Sequence, residues 1–253
     1  MQRLFDMHCH LSAMANADEV ALDAAGLGIS LLNTSVSPAD ARAAERFAIH
    51  GNVRLARGLH PWWIADGKIG PDEILLAADE CAASRFVGEV GLDFSGARAK
   101  SAEAQAGALE TIVRACEANA VEGRVVSIHA VRSAEAVLDI LEAHGMAGGA
   151  ACIMHWFSGT SDELVRAREL GCYFSVNERM LASRRGREYA RQAPLERLLL
   201  ETDAPRTFGQ RSSGSAIRNS LECALDSLAD IRLESRDHIA GKIMKTSEQL
   251  IGD

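Results

Sequence analysis

Leu4-Phe5-Asp6-Met7-His8-Cys9-His10 is the stretch from which the rest of the chain can be read. It is a short, largely apolar run bounded by polar residues, the pattern of a buried strand. Side chains alternate across a strand, so His8 and His10 project from one face and Cys9 from the other. Two imidazoles held side by side on a stiff support form half of a metal site. Whether they act as one depends on where the other imidazoles and carboxylates fall.

Including this first run, 3–10, eight β-rich runs follow one another at 30–36, 53–60, 86–92, 124–130, 150–157, 172–177 and 197–203. Segments with helical spacing lie between them, at 17–26, 39–50, 73–84, 102–119, 133–144 and 161–171. Strands alternating with helices imply parallel βαβ units. Eight such units in 253 residues match an α/β fold, a single (β/α)8 TIM-type barrel. After the eighth run, 204–216 reads as a mobile loop, and extra C-terminal helices at 217–229 and 235–250 close the chain. An open doubly wound sheet is the structural alternative, but no Gly-rich phosphate loop follows the first strand. No linker, low-complexity tract or repeat interrupts residues 1–253, which read as one domain.

The chain is 47% hydrophobic, enough for a large core. It shows no apolar run of membrane-spanning length and no leader-like N-terminus, so a soluble, cytoplasmic protein is expected, with a monomer favoured. Cys9, Cys81, Cys116, Cys152, Cys172 and Cys223 are scattered without finger-like spacing and read as buried free thiols in a reducing compartment. A net charge of −8 argues against coating duplex DNA, where binding is mostly phosphate neutralisation. It leaves room for an enzyme that grips one or two phosphates locally. Only four of the 27 basic residues are Lys; the rest are Arg, which binds phosphate bidentately.

The polar residues at the ends of the expected strands carry the chemistry. Strand one ends in His8 and His10, strand three in Gly58-Leu59-His60-Pro61, and strand five in Ser127-Ile128-His129. Strand six ends in Met154-His155-Trp156, strand eight in Leu200-Glu201-Thr202-Asp203, and strand four carries Gly88-Glu89-Val90-Gly91-Leu92-Asp93. In a parallel barrel these ends meet on one face. A buried Glu among valines and glycines is costly without a cation. Mixed imidazole and carboxylate donors suit Zn²⁺, Mn²⁺, Mg²⁺ or Fe²⁺ without choosing among them. So many donors fit two divalent ions better than one, and such a pair clamps a phosphoryl or carbonyl oxygen and acidifies bound water.

Six of these stretches resemble the TatD family of metal-dependent deoxyribonucleases, within the amidohydrolase-like barrels: Asp6-Met7-His8-Cys9-His10-Leu11, Gly58-Leu59-His60-Pro61, Gly88-Glu89-Val90-Gly91-Leu92-Asp93, Ile128-His129, His155-Trp156-Phe157-Ser158-Gly159 and Leu199-Leu200-Glu201-Thr202-Asp203-Ala204-Pro205. They keep the family's order along nearly the whole chain. The resemblance implies His8, His10, Glu89, His129, His155 and Asp203 as metal ligands, with Glu89 bridging two ions. It also implies metal-assisted phosphodiester hydrolysis, typically trimming DNA from the 3′ side. The chain departs from the family pattern at Val131, where Arg132 is displaced by one position. Trp156 replaces a small residue, Gln105 is single where the family has a pair, and Leu221 stands where Arg218-Asn219 is normally followed by Pro.

Asp203 is expected to take the proton of the attacking water, with Glu201, two residues earlier, supporting a histidine. His60 is expected to donate to a substrate phosphate oxygen, and Asp93 to orient a ligand or cap a helix. Arg132, Arg179, Arg184, Arg185, Arg187, Arg206 and Arg211 follow strands five, seven and eight, with Arg206 the first choice for phosphate and Arg132 a second. Trp156, with Trp62 and Trp63, is expected at the lip, where a ring can stack on a base; Asn177 is expected as a turn cap. DNA ends or a small phosphodiester are the substrates these features suit. A hydrolase of amides or lactones on the same barrel is one alternative, although no Lys lies on strand four to become a carbamate bridge. A non-catalytic nucleic-acid-binding relative is the other.

Overall fold

The computed structural model describes residues 2–252. In chain order its main elements are β1 (Leu4–Cys9), α1 (Ala17–Gly26), β2 (Ile29–Thr34), α2 (Pro38–Ala44), β3 (Val53–Ala56), α3 (Pro61–Ala65), α4 (Pro71–Ala82), β4 (Phe86–Asp93), α5 (Ala102–Ala118), β5 (Val125–Val131), α6 (Ala134–Ala143), α7 (Met146–Gly149), β6 (Ala151–His155), α8 (Ser161–Glu169), β7 (Tyr173–Val176), α9 (Glu178–Leu181), α10 (Arg184–Gln192), β8 (Leu198–Leu200), α11 (Gly214–Arg232) and α12 (Arg236–Ile251). The eight expected strands are all present.

The chain forms two compact units of interleaved sequence. One comprises the residues up to Asn33, Ala43–Leu55 and those from Phe174 onward; the other comprises Thr34–Arg42 and Ala56–Tyr173. In the first, β1 pairs in parallel with β2, and β7 pairs in parallel with β8. Here α11 packs on α1 and β1, and α12 packs on β1 and β8. In the second, β4, β5 and β6 form a parallel run, backed by the α4–α5 pair. Strands β1, β2 and β8 are buried along their whole length, as parallel strands covered on both faces must be. Asp6 and His8 on β1, Glu89 on β4 and Glu201 just after β8, each at most 1% exposed, are conspicuous among apolar neighbours.

Several expected boundaries move. The third strand, expected over 53–60, stops at Ala56. Gly58 lies so close to the backbone of Gly88 and Glu89 that a Cβ there would sit 2.4 Å from the Gly88 carbonyl carbon. His60 then becomes the N-cap of α3, with Pro61 at its first position. The eighth strand, expected over 197–203, is only Leu198–Leu200; past it Thr202 N–H turns to the Asp6 carboxylate and Asp203 adopts a left-handed conformation (φ 53°). The helix expected over 39–50 ends at Ala44 and continues as a 3-10 turn, Glu45–Ile49. The arginine-rich stretch after β7 forms α9 and α10, capped by Asn177 and Ser183.

The stretch after β8, expected to be mobile, is tied down. Gly209 N–H donates to Ala13 O at 2.7 Å, Ala15 N–H to Gln210 O at 3.2 Å, and Asn16 pairs with both backbone groups of Ser212. Five cysteines are buried as expected, but Cys223 is exposed, because it faces outward on α11. Among the described residues, no helix is long and apolar enough to cross a membrane.

Candidate metal centre

Within the first unit, β1 brings His8 and His10 together with their rings edge to face, centroids 5.1 Å apart. Asp203 joins them: its Oδ1 lies 3.9 Å from His8 Nε2 and 3.7 Å from His10 Nε2. These separations are too long for hydrogen bonds. All three donor atoms nevertheless lie within 4.8 Å of one another, a spacing that suits a shared cation. The backbone builds this corner. Asp203 N–H donates to His8 O at 2.9 Å, and His10 N–H donates to Ala204 O at 2.7 Å. Beneath it, the Asp6 carboxylate accepts from Thr202 N–H at 2.9 Å and from the Thr202 hydroxyl at 2.5 Å. Burial nonetheless pushes the Asp6 carboxyl up to about 7.

Arg179 supports Asp203 from its other side: one guanidinium nitrogen donates to Asp203 Oδ2 and Thr202 O, both at 3.0 Å. Glu201 is buried and accepts from Ser175 Oγ and from Asn177 Nδ2. Asn177 uses its Oδ1 for the expected cap and its amide nitrogen for Glu201.

Within the second unit, three imidazoles converge on one oxygen. Glu89 Oε1 lies 2.7 Å from His129 Nδ1, 3.1 Å from His155 Nε2 and 3.2 Å from His60 Nε2. His60 Nδ1 accepts the Trp62 backbone N–H at 3.1 Å, which places the ring proton of neutral His60 on Nε2. His60 therefore faces Glu89 as a donor. Asp93, at the end of β4, receives Trp62 Nε1–H at 2.5 Å and lies 3.4 Å from His129 Nε2. It is not a helix cap; its backbone is clamped by Gln105, which accepts from Asp93 N–H at 2.7 Å and donates to Asp93 O at 3.0 Å. Burial disfavours the Asp93 charge, but hydrogen bonds from His129, Ser95 and Trp62 outweigh it and hold the carboxyl well below the usual range.

His129 lies between two carboxylates. Burial works to lower its pKa, and the hydrogen bonds to Asp93 and Glu89 overcome it, so the imidazolium is favoured. A divalent cation taken up at Glu89 would compete with that proton. Metal loading is therefore expected to release protons and to weaken as pH falls. Calorimetric titrations in buffers of different ionisation enthalpy measure this; a pH-independent affinity with no proton release contradicts it.

Close backbone approach fixes the second cluster. Gly91 (φ 142°) packs against β5 so tightly that a Cβ would lie 2.0 Å from His129 O. Gly91→Ala is expected to lower stability by about 2–3 kcal/mol through overpacking and to disturb His129. Denaturant melts check the first effect, and the pH dependence of metal affinity checks the second.

The remaining expected residues are dispersed. Arg206 is exposed and lines a cavity of about 120 Å³ with Arg179, Thr202, Asp203, Ser212 and Ser220. Arg211 pairs with Glu19 at 2.8 Å, and Arg185 stacks on Tyr189. Arg184 is exposed. Arg132 is exposed just after β5 with φ 56°, and Trp156 is half-buried just after β6 with φ 39°. Trp62 carries the Arg98 guanidinium 4.2 Å above its ring, and Lys68 lies over Trp63 at 4.9 Å. The sequence reading passed over Asp6, Thr202 and Phe208. Asp6 carries the signal that exposed Glu89, an acid inside an apolar strand; the other two carry none.

The chain is similar to known proteins over nearly its whole length. The family model described as TatD related DNase matches residues 5–252. The "3'-5' ssDNA/RNA exonuclease TatD" of Citrobacter rodentium is 26% identical, over 98% of each chain. Human "Deoxyribonuclease TATDN3" is 24% identical, over 80% of this chain and 78% of its own. Among solved structures, the Escherichia coli k12 TatD homologue YjjV superposes with a TM-score of 0.80 at 23% identity, covering 98% of this chain and 97% of that one. The likeness puts the chain in the (β/α)8 class expected from its alternating strands and helices.

Proposed function

Because the chain belongs to the TatD-related DNase family, we propose that it is a divalent-metal-dependent phosphodiesterase that trims single-stranded DNA from the 3′ end. The observation that carries the reading is the pair of imidazole–carboxylate clusters, His8/His10/Asp203 and His60/Glu89/His129, on a chain matched to this family from residue 5 to 252. The length of that match also supports one catalytic domain.

The donor chemistry fits metal. Asp203 and the two β1 imidazoles are too far apart to satisfy one another, and Glu89 gathers three ring nitrogens on one oxygen. We assign His8, His10 and Asp203 to one ion, and Glu89 and His129 to a second together with His155, whose Nε2 lies 3.1 Å from Glu89 Oε1, keeping His60 for the substrate. When bound, such ions supply Lewis acidity toward a phosphoryl oxygen and toward water. Carboxylate and imidazole donors leave Zn²⁺, Mn²⁺, Mg²⁺ and Fe²⁺ all open.

The chain's own groups do the rest. Asp203 accepts the proton of the attacking water as its oxygen bonds to phosphorus, while the ester P–O bond breaks and its electron pair leaves with the ester oxygen. Arg179, bonded to Oδ2, holds the carboxylate in one rotamer with Oδ1 presented. His60 points its Nε2 proton at Glu89, and we assign that proton to a substrate phosphate oxygen once Glu89 is engaged by an ion. Arg206, at an exposed rim, grips a flanking phosphate, and Arg132 and Trp156 are assigned to substrate contact on the same reading. The five buried thiols suit a reducing cytoplasm.

No Lys lies on β4, which speaks against the carbamate-bridged lactonase alternative. The test is a parallel assay of metal-loaded protein on end-labelled single-stranded DNA, a chromogenic phosphodiester and a lactone panel. Shortening of the DNA from its 3′ end is expected. Turnover of lactones alone, or of nothing with any metal, overturns the proposal.

A further inference from the structure

Phe208 is 46% exposed, yet it is held in place. Its ring lies against His10, centroids 5.5 Å apart and planes at 56°. The next residue, Gly209, is hydrogen-bonded to Ala13, and Gln210 and Ser212 are bonded to Ala15 and Asn16. Arg211 is paired with Glu19. A loop fastened along this length presents the ring at a set position. Arg206 precedes it by two residues and is exposed on the same loop. Trp62, also exposed, has a guanidinium over its ring and its N–H on Asp93.

We propose that Phe208 is the stacking platform for the terminal, unpaired nucleobase of the substrate, with Arg206 meeting the adjoining phosphate. The inference rests on the nuclease reading above and names its specificity: an end whose base is unstacked and free to lie on the ring. An apolar ring recognises the flat face of any base, so the preference is for unpaired ends rather than for a sequence. The contact with His10 sets the stacked base beside a group assigned to metal, so base binding positions the neighbouring phosphodiester.

The experiment compares two labelled oligothymidylates, one ending in thymidine and one ending in an abasic residue at the trimmed end. Each is measured for kcat and KM with wild type, Phe208→Ala and Phe208→Trp. Wild type is expected to favour the base-bearing end by about tenfold in KM, the scale of one base–aromatic stack. Phe208→Ala should erase most of that preference, and Phe208→Trp should keep it. If Phe208→Ala weakens both substrates equally, the ring merely covers His10 and the inference falls. An unaltered preference also overturns it. Fluorescence anisotropy with the same two oligonucleotides separates this from the underlying reading. A protein that cuts neither DNA but binds the base-bearing end better through Phe208 refutes the nuclease and keeps the platform.

Discussion

Glu89→Gln is expected to cut kcat/KM on single-stranded DNA by about a thousandfold and to leave the purified protein short of metal. The substitution keeps the side chain's shape and removes its charge. Glu89 is 1% exposed, and its Oε1 receives His129, His155 and His60 within 3.2 Å. A neutral amide cannot balance a divalent ion or an imidazolium at that depth, where the low dielectric magnifies every uncompensated charge. On the proposed assignment of Glu89 to metal, losing its carboxylate removes several kcal/mol of charge stabilisation, and about 4 kcal/mol corresponds to a thousandfold in rate. The His129 pKa should fall in the same variant, because one of the two carboxylates that raise it is gone. Elemental analysis, steady-state kinetics and NMR titration of His129 read these three effects separately. Full activity with undiminished metal would remove Glu89 from the centre.

How much of this was legible beforehand depended on whether a residue's role is set by its own strand or by a distant partner. His8, His10 and Glu89 stand out in the sequence because polar side chains in buried strands are costly and need a reason. The alternation of a strand already put the two imidazoles on one face. The role of His60 is less legible, because its donor orientation depends on the backbone N–H of Trp62, in the short helix that His60 caps. For Asp93 local pattern leaves two readings open, a group that orients a ligand and a helix cap; its place 3.4 Å from His129 Nε2 fits the first. Its grip on Trp62 and its clamp by Gln105 come from tertiary packing that no local pattern encodes. The loop after β8 reads as mobile from its Gly, Ser and Arg content, yet it is fastened by Ala13, Ala15 and Asn16, nearly two hundred residues away in sequence. Nearness to Asp203 in sequence favours Arg206 over Arg179; in space it is Arg179 that touches the carboxylate.

Asp203→Asn should lower kcat by about 10²- to 10⁴-fold, the usual effect of removing a general base, with KM changed far less. Asn is the informative replacement for a backbone reason. Asp203 sits at φ 53°, a region that Asn and Asp enter readily and that Ala enters at a cost of about 1 kcal/mol or more. The Asn variant should therefore keep the turn, the bond from its amide to His8 O, and an acceptor for Arg179. What it loses is the capacity to take up a proton and the full negative charge beside His8 and His10. Metal analysis divides these two losses. A variant that retains both ions yet turns over hundreds of times more slowly identifies Asp203 as the proton acceptor. A variant that loses an ion identifies it chiefly as a ligand. A kcat within a few-fold of wild type would assign the proton to another group, and Glu201, buried on Ser175 and Asn177, is poorly placed to be that group because those two donors already engage its oxygens.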